Sequence, residues 1–287
     1  MTLDRETVGY LPEAGEMVSR GDGGGGSVRE AYTLKDKPWK LLLARAAVAI
    51  GCLAVWQGVS GTLIDKFWLS RPTDIAAKLG EWVASGYLFP HLAITLQETL
   101  AGFVLGAGAG IIFGFLMGRL LTMAMVLEPF VLAIYSLPRL ALAPLFILWF
   151  GIGLQMKVIL AAVIVFFMVF WNTYAGVKEV DVDLLDVVRI MGGSGRQMLL
   201  KVILPSSLTW IFVGLKVSAP YALIGAVVGE IIASNRGLGY VIQFSAGQFD
   251  TAGIFAALSV LMSVSVSLNA LLNRGENYFL RWKRVSR

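Results

Sequence analysis

The chain has 287 residues, 57% of them hydrophobic and 15% charged, with a formal net charge of +5 and a pI near 9.3. Ordinary soluble domains carry about 25% charged residues, so a water-soluble single domain is excluded and a polytopic α-helical membrane protein is indicated. Stretches such as Val158 to Trp171 are apolar on every face, unlike the alternating strands of a transmembrane barrel.

Residues 1–40 are polar, carry a Gly21, Gly23, Gly24, Gly25, Gly26, Ser27 tract and end in a basic cluster; they read as a disordered cytoplasmic tail. Hydropathy then places six spans at about 41–60, 91–117, 128–150, 158–175, 207–229 and 252–272. They form one transmembrane domain over 41–273, and a basic cytoplasmic tail follows at 274–287. With the N-terminus inside, sixteen Lys and Arg fall in cytoplasmic segments and five outside, so the charge bias puts both termini in the cytoplasm.

Between the first two spans, Ile75, Leu79, Trp82 and Val83 recur at helical spacing after Pro72 and before Gly86. This predicts a short external helix at the interface. In the second span Gly102, Gly106, Gly110, Gly114 and Gly118 recur at intervals of four. Such a ladder clears one helix stripe for close approach of another backbone, and the sequence leaves open whether that partner lies in the same chain.

The third span carries Arg139 between Pro138 and Pro144. Counting from Glu128 at 1.5 Å per residue puts this cation roughly 16 Å deep, where it must face protein or water. Two prolines withhold donors from Ile134 and Leu140 and predict an irregular helix beside a cavity. Arg139 then either binds those carbonyls or Glu128 and stabilises the bend, or attracts an anionic solute in a pathway.

The longest loop between spans, about 176–206, predicts a helical hairpin. Asp181 or Asp183 caps a first helix whose stripe is Leu184, Val187, Val188 and Met191, and Gly192, Gly193, Ser194 and Gly195 break it. A second short helix runs from Arg196 to Leu204, and Pro205 is expected to turn the chain into the fifth span.

Within that loop Asp186, Val187, Val188, Gly192, Val202, Leu204 and Pro205 occupy the positions of E-A-A, three residues, G, nine residues, I-x-L-P. The chain thereby resembles the permease subunits of ATP-binding-cassette importers. RPTDIAAKL at 71–79, PHLAITLQETLAGFVLG at 90–106, LPRLALAPLFILWFGIG at 137–153, NTYAGVKEVDVDLLDVVRIMGG at 172–193 and RGLGYVI at 236–242 extend the likeness to the nitrate, sulfonate and taurine branch.

The resemblance implies the all-α type I importer permease fold (MetI-like), in a bacterial inner membrane. It also implies two cytoplasmic ATPase subunits that bind the ATP, a second permease copy or sister permease, and an extracytoplasmic solute-binding protein. It assigns ATPase coupling to Leu184, Leu185, Asp186, Val187, Val188, Met191, Gly192, Gly193, Ser194, Leu204 and Pro205. The solute implied is a small organic or inorganic anion.

Independently, the chain contains no G-x4-G-K-S/T phosphate loop, so no cofactor is expected in it and ATP hydrolysis belongs elsewhere. A lone His91, and Ser194 on the opposite side of the membrane, do not make a nucleophile and base. An ion-gradient-driven secondary transporter is the alternative. It wants internal repeats and intramembrane acids, and the acids here, Glu98, Glu128 and Glu230, fall near span ends.

Overall fold

A computed structural model describes residues 38–281, and every regular element among them is helical. The tail assignments for 1–37 and 282–287 lie outside the described residues.

Helix α1 is Pro38–Val59, 22 residues with apolar side chains on all sides, long enough to cross about 30 Å of hydrocarbon. The rest of the chain forms a compact unit of its own. After α1 the chain turns tightly, with Arg71 Nε donating to the Ser60 carbonyl at 3.0 Å. Helix α2, Pro72–Ala84, has Pro in its first turn, where no donor is needed, and buries Ile75 and Trp82. Gly86 then adopts φ +77°, a left-handed turn that glycine takes without strain.

Helix α3 is Leu88–Arg119, and Leu120 alone separates it from α4, Leu121–Tyr135. A 3-10 turn at Arg139–Leu142 leads to α5, Ala143–Phe150. Helix α6 is Leu154–Lys178, and α7 is Val182–Ile190. The four-residue α8, Gly195–Met198, passes through a π-helical turn at Leu199–Ile203 into α9, Leu204–Ala233. Helix α10 is Leu238–Gly247, and α11 is Thr251–Phe279.

Five helical stretches can cross a membrane by length and composition. A bent pair, Thr122–Tyr135 with Arg139–Phe150, makes a sixth if the two helices are counted as one span. The region expected as the third span is thus not a single rod: it breaks at residues 136–138 with a 79° bend.

Helix α6 is the core of the bundle. It buries fourteen side chains or glycines along its length, and glycine faces of two neighbours close on it from different sides. The α3 ladder meets it in parallel. A Cβ on Gly102 would stand 2.9 Å from the Val158 carbonyl oxygen, on Gly110 2.8 Å from that of Phe166, and on Gly114 2.6 Å from that of Phe170. The partner of the ladder is thus within the chain. Helix α9 meets α6 antiparallel, with Gly214 against Val169 and Asn172, Gly225 against Ala161 and Gly229 against Lys157. Absent side chains let these backbones approach within a few ångströms, where van der Waals packing holds helices that lipid does not drive together.

Candidate functional site

Two places in the fold combine specific chemistry with specific geometry. The first is the hairpin between α6 and α9.

Asp181 caps α7, its side chain accepting the Asp183 N–H at 2.9 Å. Leu185 packs against Val177, Val180 and Ile203, and these contacts seat one face of α7 on the bundle. Leu184, Val187, Ile190 and Met191 instead stay exposed, the last two by four-fifths or more. The stripe expected from the sequence is therefore an outward face, and Val188 turns inward to lie against Gly193.

The turn is made by Gly192 at φ +74°, with its N–H on the Arg189 carbonyl at 2.9 Å and the Gly193 N–H on the Val188 carbonyl at 2.8 Å. A Cβ on Gly192 would meet nothing within 4 Å, so glycine is required here by backbone conformation rather than by space. Ser194 and Gln197 then form a reciprocal capping box that opens α8. The S-x-x-Q spacing of Ser194 and Gln197 is the sequence signal for this cap. Asp186, at the glutamate position of the loop motif, pairs with exposed Arg189 at 2.7 Å.

One expectation for this loop fails. Pro205 does not turn the chain into the membrane. It occupies the first turn of α9, and the run from Gly195 to Ala233 is one 39-residue span-length stretch interrupted only by the wide turn at Leu199–Ile203. A π turn accommodates an extra residue without breaking the axis, and such turns recur at functional sites. The hairpin and α9 are therefore joined without a flexible linker.

The second place is the other end of the bundle, where α3 and α6 begin and α9 ends. Glu98 and Lys157 form a buried ion pair, with side-chain exposures of 1% and 6%. Lys157 Nζ also donates to Ser234 Oγ at 3.0 Å. Glu230 accepts from Thr95 Oγ at 2.7 Å and from the Gly239 N–H at 2.6 Å. The first donors of α10 are satisfied by other helices: the Gly237 N–H goes to His91 Nδ1 at 3.0 Å and the Leu238 N–H to Thr95 Oγ at 2.8 Å. Four elements are pinned by one polar network, which explains why the glycines of the 236–242 segment leave no room for side chains over Glu230.

Sequence reasoning missed this network. Lys157 falls one residue before the span assigned from hydropathy, and Glu98 and Glu230 had no visible partner. His91 and Ser194 lie at opposite ends of the bundle, and among the described residues no His, Cys, Asp and Glu group could hold a metal ion.

Arg139 lies at the bend. Its guanidinium stands 4.6 Å over the Tyr135 ring and 5.8 Å from the Phe167 ring, and one nitrogen reaches the Tyr135 carbonyl at 3.5 Å. Pro138 precedes the 3-10 turn and Pro144 occupies the first turn of α5, where it withholds no bond. The carbonyls expected to be free are used: Ile134 accepts from Leu137 at 3.1 Å, and Leu140 accepts from Ala143. Glu128 is not an Arg139 partner but accepts from the Tyr174 hydroxyl at 2.7 Å, with Lys178 Nζ on that hydroxyl at 3.2 Å.

Residues 106–285 match the family described as binding-protein-dependent transport system inner membrane component. The aliphatic sulfonates transport permease protein SsuC of Bacillus subtilis is 34% identical over 282 residues, covering 98% of both chains. SsuC of Escherichia coli is 32% identical over 86% of this chain and 94% of its own. The riboflavin transport system permease protein RibX of Chloroflexus aurantiacus is 34% identical over 80% and 87%.

Among solved structures, an amino acid ABC transporter aligns with TM-score 0.58 at 17% identity, over 70% of this chain and 97% of that one. The inward-facing MetNI methionine ABC transporter aligns with TM-score 0.55 at 19% identity, over 64% and 94%. The fold is accordingly that of the MetI-like importer permeases, and the chain belongs to the binding-protein-dependent inner membrane components, the permease subunits of ATP-binding-cassette importers.

Proposed function

We propose that this permease carries a small organic anion, of the sulfonate class named for two of its relatives, inward through a pathway shared with a second permease copy. The hairpin end of the bundle faces the cytoplasm, as the charge bias requires, and both chain termini lie on that side. The α2 and α10 end faces the solute-binding protein.

The observation that carries the reading is the α7 surface. Leu184, Val187, Ile190 and Met191 form an apolar face outside the bundle, on a short helix whose other side is seated by Leu185. An exposed apolar face of this kind wants a cleft, and an ATPase subunit bearing one would hold Leu184 to Ser194. Closure of two such subunits on ATP then pushes the hairpin, and the continuous α8–α9 rod carries the displacement to the far end of the pathway. Leu204 and Pro205 act in this scheme as part of the rod.

Reconstitution tests it. The chain, co-purified with its ATPase and supplied with its binding protein, is expected to accumulate an aliphatic sulfonate in proteoliposomes only with ATP and in a vanadate-sensitive manner. Uptake by the chain alone under a proton or sodium gradient would replace this reading with secondary transport.

A further inference from the structure

At the end of the bundle where α9 meets α10, a cavity of 830 Å³ opens between α3, α6, α9 and α10, within the size range of small-molecule sites. Glu98 is held by Lys157 through one carboxylate oxygen, while its other oxygen is buried without a hydrogen-bond partner, and Glu230 is held by Thr95 and the Gly239 N–H. Lys157 spends two of its three ammonium hydrogens on Glu98 and Ser234.

Arg236 is bound only through its backbone, the N–H donating to Ser234 Oγ at 3.3 Å and the carbonyl accepting from it at 2.6 Å. The Arg236 side chain is exposed at the cavity and makes no ion pair with a described residue, and the exposed amides of Gln97, Asn235 and Gln243 line the same cavity. A fork of guanidinium donors flanked by neutral amides matches a tetrahedral or planar oxyanion.

We propose that this cavity is an oxyanion site for a small soluble organic sulfonate or carboxylate, with Arg236 as the charged contact and Gln97, Asn235 and Gln243 as neutral donors. As a stop on the solute's route it rests on the permease reading above, and the Lys157–Glu98 pair forms its rigid floor.

The test uses the whole importer in phosphatidylcholine nanodiscs, with Cys52→Ala and a single thiol from Asn235→Cys or, separately, Gln243→Cys. Each thiol is labelled with 2-sulfonatoethyl methanethiosulfonate and with its trimethylammonium counterpart. The rate ratio of anionic to cationic reagent is expected to fall at least about tenfold on Arg236→Gln, the lower end of what focused charge supplies, and to be partly kept by Arg236→Lys. Butane-1-sulfonate or butyrate should slow labelling only while Arg236 is present, and butyltrimethylammonium should not.

A ratio indifferent to Arg236 at both positions overturns the proposal. So does protection given by added phosphatidylglycerol and by neither soluble anion, which would assign the oxyanion to a lipid headgroup. Vanadate-sensitive uptake by the same complex judges the permease reading separately, since labelling bias does not depend on turnover.

Discussion

Lys157 and Glu98 are paired inside the bundle, from the first turn of α6 to the third turn of α3, at side-chain exposures of 6% and 1%. A buried pair contributes little beyond what two apolar groups of the same volume would, but removing one member strands the other charge and costs about 3–5 kcal/mol. Lys157→Met alone should therefore lower the thermal stability of the purified complex sharply. The double change Lys157→Met with Glu98→Leu should recover most of the loss, while Ser234→Ala, which removes one neutral acceptor, costs about 1 kcal/mol. Melting these three variants and Glu98→Leu alone beside the unchanged protein in nanodiscs reads the coupling, and purely additive losses would refute it.

The glycine ladder gives a sharper steric test. Gly106, Gly110 and Gly114 face α6 backbone, whereas Gly108 in the same helix has nothing within 4 Å of an added Cβ. Gly110→Ala must push α3 off the Phe166 carbonyl and is expected to cost about 1–3 kcal/mol, while Gly108→Ala should be neutral or slightly stabilising, since alanine is the better helix former. Comparable melting temperatures for the two variants would show that the stripe does not hold the helices together.

The period of that stripe was legible in the sequence, and so were the short helix before Gly86, the hairpin and its glycine turn, because each is written in residues close along the chain. What was not legible depends on distant segments meeting. The parallel packing of α3 on α6 arises only because the bent α4–α5 span returns the chain to the same side. Lys157 looked like a loop residue because hydropathy charges a lysine for leaving water and cannot credit Glu98, 59 positions earlier, for receiving it. The two prolines near Arg139 read as lost hydrogen bonds, yet a 3-10 turn and a fresh helix start place Pro144 where it loses none. Pro205 misled in the same way, since a proline in the first turn marks a helix start as readily as a corner.

At the hairpin tip, conformation and volume can be separated. Gly192 holds φ +74° with open space around its Cβ position, so Gly192→Asn, which tolerates that region, should keep the turn. Gly192→Trp adds both strain, about 1–2 kcal/mol, and bulk next to Met191. In membranes with normal subunit abundance, Gly192→Trp should lose most sulfonate uptake and the stimulation of ATPase activity by the loaded binding protein, and Gly192→Asn should keep most of both. Full coupling in the tryptophan variant would remove the hairpin from the ATPase interface.

Orientation is checked by chemistry at two serines. With Cys52 replaced, a cysteine at position 85, just beyond α2, should be blocked by an impermeant maleimide added to intact cells. A cysteine at position 194 should react only after the cells are permeabilised. The reverse pattern would invert the bundle and with it the assignment of the hairpin to the ATPase side.

Arg139 decides between two roles for the bend. Its guanidinium lies over Tyr135 and near Phe167, with one nitrogen on the Tyr135 carbonyl, so it ties α4 to the start of the 3-10 turn and to α6. Stacking of a cation on an aromatic face adds about 0.5–2 kcal/mol depending on desolvation, and the planar fork matters for it as much as the charge does. If that tether is what Arg139 provides, Arg139→Gln and Arg139→Lys should both reduce the yield and melting temperature of the assembled complex, with lysine restoring little. Tyr135→Leu should produce a similar loss, and Arg139→Gln added to it should cost almost nothing further. A solute role has the opposite signature: uptake falls in Arg139→Gln at unchanged yield and unchanged basal ATPase activity, and lysine rescues part of it. Uptake normalised to assembled complex, measured in the three single variants and the double, separates the two.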